Sequence, residues 1–177
     1  MKILVASDIH GSEVAVNAVL SAVKTEGADL LVLLGDLYYH GPRNPLPEGY
    51  APLQVAAALN GYVGKKVVIR GNCDAEVDGM ISDFSFVDGF AAEVGEKTVY
   101  FTHGHTVCPE NPPKGFDVLC NGHFHVAKIW ENGGMIFANP GSCSLPKENT
   151  VKGYLLLKED GIFLKTLSGE VVEQLLW

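Results

Sequence analysis

The stretch Lys2-Ile3-Leu4-Val5-Ala6-Ser7-Asp8-Ile9-His10-Gly11-Ser12 decides the fold. Lys2–Ala6 reads as a buried strand, an apolar run too short for a helix. Ser12 is placed to cap a helix that runs to about Thr25, with Ala15, Val16, Val19, Leu20 and Val23 on its apolar side. Gly27 follows where a C-terminal cap is expected. Leu30–Leu34 repeats the strand signal, Pro52 opens a second helix ending near Asn60-Gly61, and Lys66–Arg70 is a third strand. This β-α-β-α-β order predicts parallel strands joined by right-handed crossovers.

The second half reads differently. Phe90–Val94 and Thr98–Thr102 flank Gly95-Glu96-Lys97; Lys128–Glu131 and Met135–Asn139 flank Asn132-Gly133-Gly134; Gly153–Lys158 and Ile162–Leu167 flank Glu159-Asp160-Gly161. Each is a hairpin signal. Between the halves, Gly41–Pro52 holds four prolines without periodicity, which reads as a long ordered loop or lid. The expectation is one α/β domain over residues 1–177, with two packed sheets and outer helices. The apolar end, Val171-Val172 and Leu175-Leu176-Trp177, is expected to pack in the core. An interface between copies is the alternative, which leaves a homo-oligomer open.

Composition narrows the function. The 177 residues are 47% hydrophobic and 19% charged, ordinary for a globular chain. Thirteen Lys+Arg against 21 Asp+Glu give a net charge of −8, which argues against a broad nucleic-acid or anionic-membrane surface. No apolar run is long enough to cross a bilayer, and Met1–Ala6 runs straight into Ser7-Asp8, so secretion is not expected. The cysteines, Cys73, Cys108, Cys120 and Cys143, form no C-x-x-C pair, so reduced thiols in the cytoplasm are expected. Cys108, Cys120 and Cys143 read as small packing residues.

The chemistry lies just after the strands. Asp8-Ile9-His10-Gly11 follows the first, Gly35-Asp36 the second, Gly71-Asn72-Cys73-Asp74 the third. His103-Gly104-His105 follows the strand ending at Thr102, and Gly122-His123-Phe124-His125 follows a short strand at Val118–Cys120. Ligand sites in α/β sheets form at carboxyl ends of strands. Asp8, His10, Asp36, Asn72, His103, His123 and His125 offer more oxygen and nitrogen donors than one ion with open positions needs, and suit two. Imidazole and carboxylate without thiolate favour Mn, Fe or Zn over Ca. Asp74 reads as a residue that orients a neighbour such as a histidine. Asp29 reads as a turn residue before the second strand.

Together, Asp8-x-His10, Gly35-Asp36, Gly71-Asn72-x-Asp74, His103 and Gly122-His123-x-His125 resemble the motif set of the calcineurin-like metallophosphoesterases. The stretch His40–Pro52, with Asn139-Pro140-Gly141-Ser142 and Pro146-Lys147, resembles the YfcE-type bacterial phosphodiesterases within that superfamily. The resemblance implies a four-layer α/β/β/α sandwich with two mixed sheets and a dinuclear centre at one sheet edge. It implies that Asp8, His10 and His125 hold one ion, that Asn72, His103 and His123 hold the other, and that Asp36 bridges them. The ions would be divalent, manganese first, with iron, zinc or magnesium as the others. The implied reaction is hydrolysis of a small phosphodiester by a metal-bound hydroxide attacking in line.

One position departs from the wider family. Many members carry histidine after the metal-binding asparagine; here it is Cys73, as in the YfcE group. A thiol is a weak donor. Cys73 and His105 are therefore the candidates for the general acid, and His40 and Arg43 on the long loop are the candidates for substrate contact. A phosphomonoesterase or nucleotide phosphatase on the same centre, or a non-enzymatic scaffold of the same fold, are the rival readings.

Overall fold

A computed structural model describes residues 1–177. In chain order it runs β1 (Ile3–Ala6), α1 (Glu13–Glu26), β2 (Leu30–Leu33), α2 (Pro52–Gly61), β3 (Lys66–Ile69), a 3-10 turn (Glu76–Met80) and β4 (Phe86–Val87). There follow β5 (Phe90–Val94), β6 (Lys97–Thr102), β7 (Val118–Asn121), β8 (Lys128–Asn132), β9 (Met135–Asn139), β10 (Gly153–Lys158), β11 (Gly161–Thr166) and β12 (Val171–Leu176). One mixed sheet has the order β12-β11-β10-β1-β2-β3-β4, the other β5-β6-β7-β9-β8.

Parallel pairing of β1, β2, β3 and β4 sends their carboxyl ends to one edge. β6, β7 and β9 are likewise parallel. The strands of the larger sheet's centre are buried on both faces, which is why their sequences run apolar without alternating. Leu4, Ala6, Leu31 and Leu33 face α1 and α2, whereas Ile3, Val5, Val32 and Leu34 face the smaller sheet. The Ser12 hydroxyl accepts the Ala15 N–H at 3.1 Å, and Gly27 ends α1 at φ 60°. The three hairpins close on Gly95-Glu96, Gly133-Gly134 and Glu159-Asp160.

The architecture is the expected α/β one, two mixed sheets packed on each other with few helices. Both α-helices cover the larger sheet, and Phe116 packs on Tyr100 of the smaller one. One feature differs from expectation: the C-terminal end does not pack wholly in the core. It forms edge strand β12, with Val171 54% and Leu176 60% exposed, while Leu175 and Trp177 lean on the inter-sheet core. Successive side chains of a strand take opposite faces, so Leu175 meets the core while Leu176 faces water.

Candidate metal centre

Five strand ends converge where the carboxyl edges of the two sheets meet. Asp8 and His10 follow β1, Asp36 follows β2, Asn72 follows β3, His103 follows β6, and His123 and His125 follow β7. Asp8, His10, Asp36, His103 and His125 are buried. Five of these donors adopt left-handed backbone: Asp8 (φ 56°), His10 (50°), Asp36 (54°), His123 (69°) and His125 (62°). Such angles cost energy outside glycine and bend the chain sharply at each strand end, so successive side chains turn inward.

Tight backbone approach completes the geometry. A Cβ at Gly71 would stand 2.1 Å from Asp36 Oδ1, and one at Gly122 would stand 2.0 Å from Ser7 Oγ. Both positions therefore require glycine. Asp74 accepts the backbone N–H groups of Asp36 (2.8 Å), Leu37 (2.8 Å) and Gly71 (2.7 Å). It splints the loops after β2 and β3 through their backbones, where a histidine partner was expected. Burial pushes its carboxyl upward, against the pull of the three donors.

The ring nitrogens are fixed. His10, His103 and His125 donate Nδ1–H to the carbonyls of Tyr39, Leu34 and Leu145, each at 2.7 Å. A carbonyl only accepts, so all three Nε2 lone pairs point into the site. His10 Nε2 then meets His125 Nε2 at 3.1 Å, and His103 Nε2 meets Asn72 Oδ1 at 3.0 Å. Asn72 Nδ2 donates to Cys73 Sγ at 3.3 Å, which keeps Oδ1 facing His103. Lone pairs opposed this closely repel unless a cation lies between them.

Asp8 behaves the same way. Its Oδ2 accepts the Ser7 hydroxyl at 2.5 Å and the His123 N–H at 3.0 Å. Its Oδ1 is buried without a hydrogen bond, 3.2 Å from His125 Nε2 and 3.6 Å from His10 Nε2. Asp36 spans both groups, with Oδ2 3.7 Å from His10 Nε2 and Oδ1 3.5 Å from His103 Nε2. The donor set thus fits divalent cations. Burial would push the Asp8 carboxyl up, but the surrounding imidazoles of His10, His125 and His103 hold it well below the usual range. Burial would pull His10 down, and the Asp8 carboxylate more than offsets that, so it is raised. His123 is lowered by burial and by His103.

Above the ligands lies a cavity of about 380 Å³, walled by Gly41, Pro42, Arg43, Asn44, Cys73 and Lys147. Cys73 faces the cavity; burial and Asp36 push its thiol up to about 12, so it stays protonated. Arg43 also lines it. His40 does not: its ring packs against Tyr39 and Tyr50, and Asn44 Nδ2 donates to its carbonyl at 2.8 Å, so it braces the loop from behind. His105 lies outside as well, in a neighbouring recess with Arg70, Asp88 and Thr106. Burial and His103 lower its pKa.

Residues 1–161 match the calcineurin-like phosphoesterase superfamily domain. The chain belongs to this superfamily. It is 42% identical to phosphodiesterase YfcE of Escherichia coli K12 over 175 residues, covering 97% of this chain and 95% of that protein. A solved structure of the E. coli phosphoesterase YfcE superposes with a TM-score of 0.94 at 39% identity, over 99% of both chains. Vacuolar protein sorting 29 from Cryptosporidium parvum shares the fold alone, with a TM-score of 0.66 at 17% identity over 99% of this chain and 98% of that one.

In this superfamily member, Ser142 and Lys147 fall within the motifs that carry the resemblance, but those motifs assign them no role at the site, and Ser144 is left unmarked. Ser142 and Ser144 donate to the Asp8 carbonyl at 2.6 and 3.1 Å and hold its left-handed turn. Lys147 enters the cavity wall from the turn after β9. Only a fold that brings residue 147 beside residue 125 reveals that place; Pro146-Lys147 as a sequence does not.

Proposed function

We propose that this chain is a metal-dependent phosphodiesterase of one domain that works with two divalent ions. The family and the identity to phosphodiesterase YfcE support hydrolysis of phosphoric diesters. The observation that carries the two-ion reading is the pair of opposed lone-pair contacts, His10 with His125 and His103 with Asn72, spanned by Asp36. Asp8, His10 and His125 would hold one ion, and Asn72, His103 and His123 the other, with Asp36 between them. When bound, the ions supply charge neutralisation and a deprotonated nucleophile for in-line displacement at phosphorus. Manganese is the first choice for this donor set, before iron, zinc and magnesium.

The residues do the rest. Carbonyl partners hold the three imidazoles in the tautomer that ligation needs. Asp8 and Asp36 carry too little negative charge to neutralise two divalent ions, so the centre attracts an anionic ester despite the chain's net charge of −8. Cys73 presents a neutral thiol to the leaving side and is a poor acid, so the leaving oxygen departs largely as its anion. A small diester with an acidic leaving group fits this best, in a reducing, cytoplasmic setting that keeps Cys73 a thiol.

Calorimetric titration of chelated protein with Mn²⁺ tests the reading: two ions per chain are expected, with diester hydrolysis lost on chelation and restored on titration. One ion per chain, or full activity in metal-free protein, would overturn it.

A further inference from the structure

The cavity holds a charge layout that the two-ion reading leaves unused. Its floor ligands His10, Asp36 and His125 are buried and His123 half-buried, whereas Arg43 and Lys147 are exposed at its rim and come from different segments. Lys147 is held firmly at its backbone. Its N–H donates to the carbonyl of His125 at 2.9 Å, and its carbonyl accepts from Thr150 N–H (3.0 Å) and Thr150 Oγ1 (2.9 Å). The turn therefore seats this lysine at a set distance from the ligand loop. Arg43 lies in a loop closed by Asn44 Nδ2 on the His40 carbonyl at 2.8 Å. Gly41, Pro42 and Cys73 supply the non-polar part of the wall, and no phenyl, phenol or indole ring lines it. About 380 Å³ is more than a phosphate group fills, which leaves room for an ester arm toward the rim.

Resting on the phosphodiesterase reading, we propose that the substrate diester carries a second anionic group, a phosphate or a carboxylate, on one ester arm, bound at the rim by Arg43 and Lys147. The guanidinium supplies a planar fork for either anion, and the ammonium a mobile point charge. The reacting phosphorus sits below, at the ligand floor. Hydrolysis adds one water across one P–O bond and releases an alcohol and a monoester.

The test uses manganese-loaded enzyme and 4-nitrophenyl phosphodiesters whose second arm is ethyl, 2-carboxyethyl or 2-phosphoethyl, with 4-nitrophenyl phosphate alongside. All release the same phenolate. The anionic arms should raise kcat/KM over the ethyl compound by about tenfold per cation engaged, mostly through KM, and added salt should shrink the ratio. Arg43→Gln and Lys147→Gln should each lower the ratio, and Lys147→Glu should bring it to one or below. Equal rates for all three arms, in enzyme that does hydrolyse the ethyl compound, would overturn this proposal and leave the phosphodiesterase reading standing. Failure to hydrolyse any diester would overturn that reading and this proposal with it. A preference for 4-nitrophenyl phosphate that Lys147→Gln abolishes would also overturn the proposal, because the rim cations would then serve the reacting phosphate.

Discussion

Asp74→Asn isolates the splint between the two ligand loops. Asp74 Oδ2 accepts from Asp36 and Gly71, and Oδ1 accepts from Leu37, all at 2.7–2.8 Å. Asparagine keeps one oxygen. Its best orientation leaves that oxygen on Asp36 and Gly71 and turns the amide NH₂ against the Leu37 N–H. Two charge-assisted bonds become neutral, at a loss of about 1 kcal/mol each, and one buried donor is left unpaired, at about 1–3 kcal/mol. Relief of a buried charge offsets part of this, so the net loss is about 2–4 kcal/mol. For a chain of this length that lowers Tm by about 5–15 °C. Because Asp36 and Asn72 ride on these loops, Mn²⁺ affinity should fall as well. Differential scanning calorimetry of chelated protein and calorimetric Mn²⁺ titration read the two effects. A Tm within about 2 °C of wild type would refute the reasoning, because the three N–H groups would then need no carboxylate.

Other perturbations probe single groups. Asp36→Asn removes a unit charge; against one divalent ion at about 4 Å and an effective dielectric of about 20 that is about 8 kcal/mol before solvation offsets part of it, so metal affinity should fall by at least about a thousandfold. His125→Asn removes one neutral donor and should lose one ion while keeping the other; metal analysis showing two ions in Asp36→Asn contradicts the spanning role. Across aryl phosphodiesters, wild-type kcat/KM should depend steeply on leaving-group pKa, and Cys73→His should flatten that dependence, since proton donation contributes about 10²–10⁴-fold where it operates. A steep dependence confined to His105→Ala would instead make His105 the acid. Glu26 accepts the Tyr154 hydroxyl at 2.6 Å and pairs with Lys165. Burial would raise its carboxyl, and Lys165 and Tyr154 more than offset that, so it is lowered. Its stabilisation is present above the ordinary glutamate range and lost as pH falls through the lowered folded value. Glu26→Gln should therefore cost about 1–2 kcal/mol in Tm scans at pH 7 and progressively less as pH falls through the lowered folded value.

What was legible in the sequence was what local chemistry encodes. The apolar runs of β1, β2 and β3, the Ser12 cap and the glycine turns mark their elements, and five strand ends carry the donors. β4 pairs through just Phe86 and Val87, too few residues for a period to show. β12 is an edge strand whose Val171-Val172 and Leu175-Leu176 doublets break the alternation that a half-buried strand displays. At the site, residue types identified the ligands, but tautomers follow from carbonyls at Tyr39, Leu34 and Leu145, far away in the chain. His40 and Lys147 show the same limit: whether a loop residue faces the cavity depends on the path of its backbone, which the ring stack on Tyr50 and the turn at Thr150 decide.

The left-handed backbone of Asp8, His10, Asp36, His123 and His125 sets a limit on improving this protein. At about 1 kcal/mol each, those angles withhold about 5 kcal/mol, comparable with the whole net stability of many domains. Glycine would relax every one of them and carries no donor. A library screened for heat resistance alone should therefore drift toward glycine at these five sites and discard the centre on the way. Screening with metal present reverses the pressure, since bound ions reward the strained residues. Heat tolerance and ligation thus compete for the same five codons.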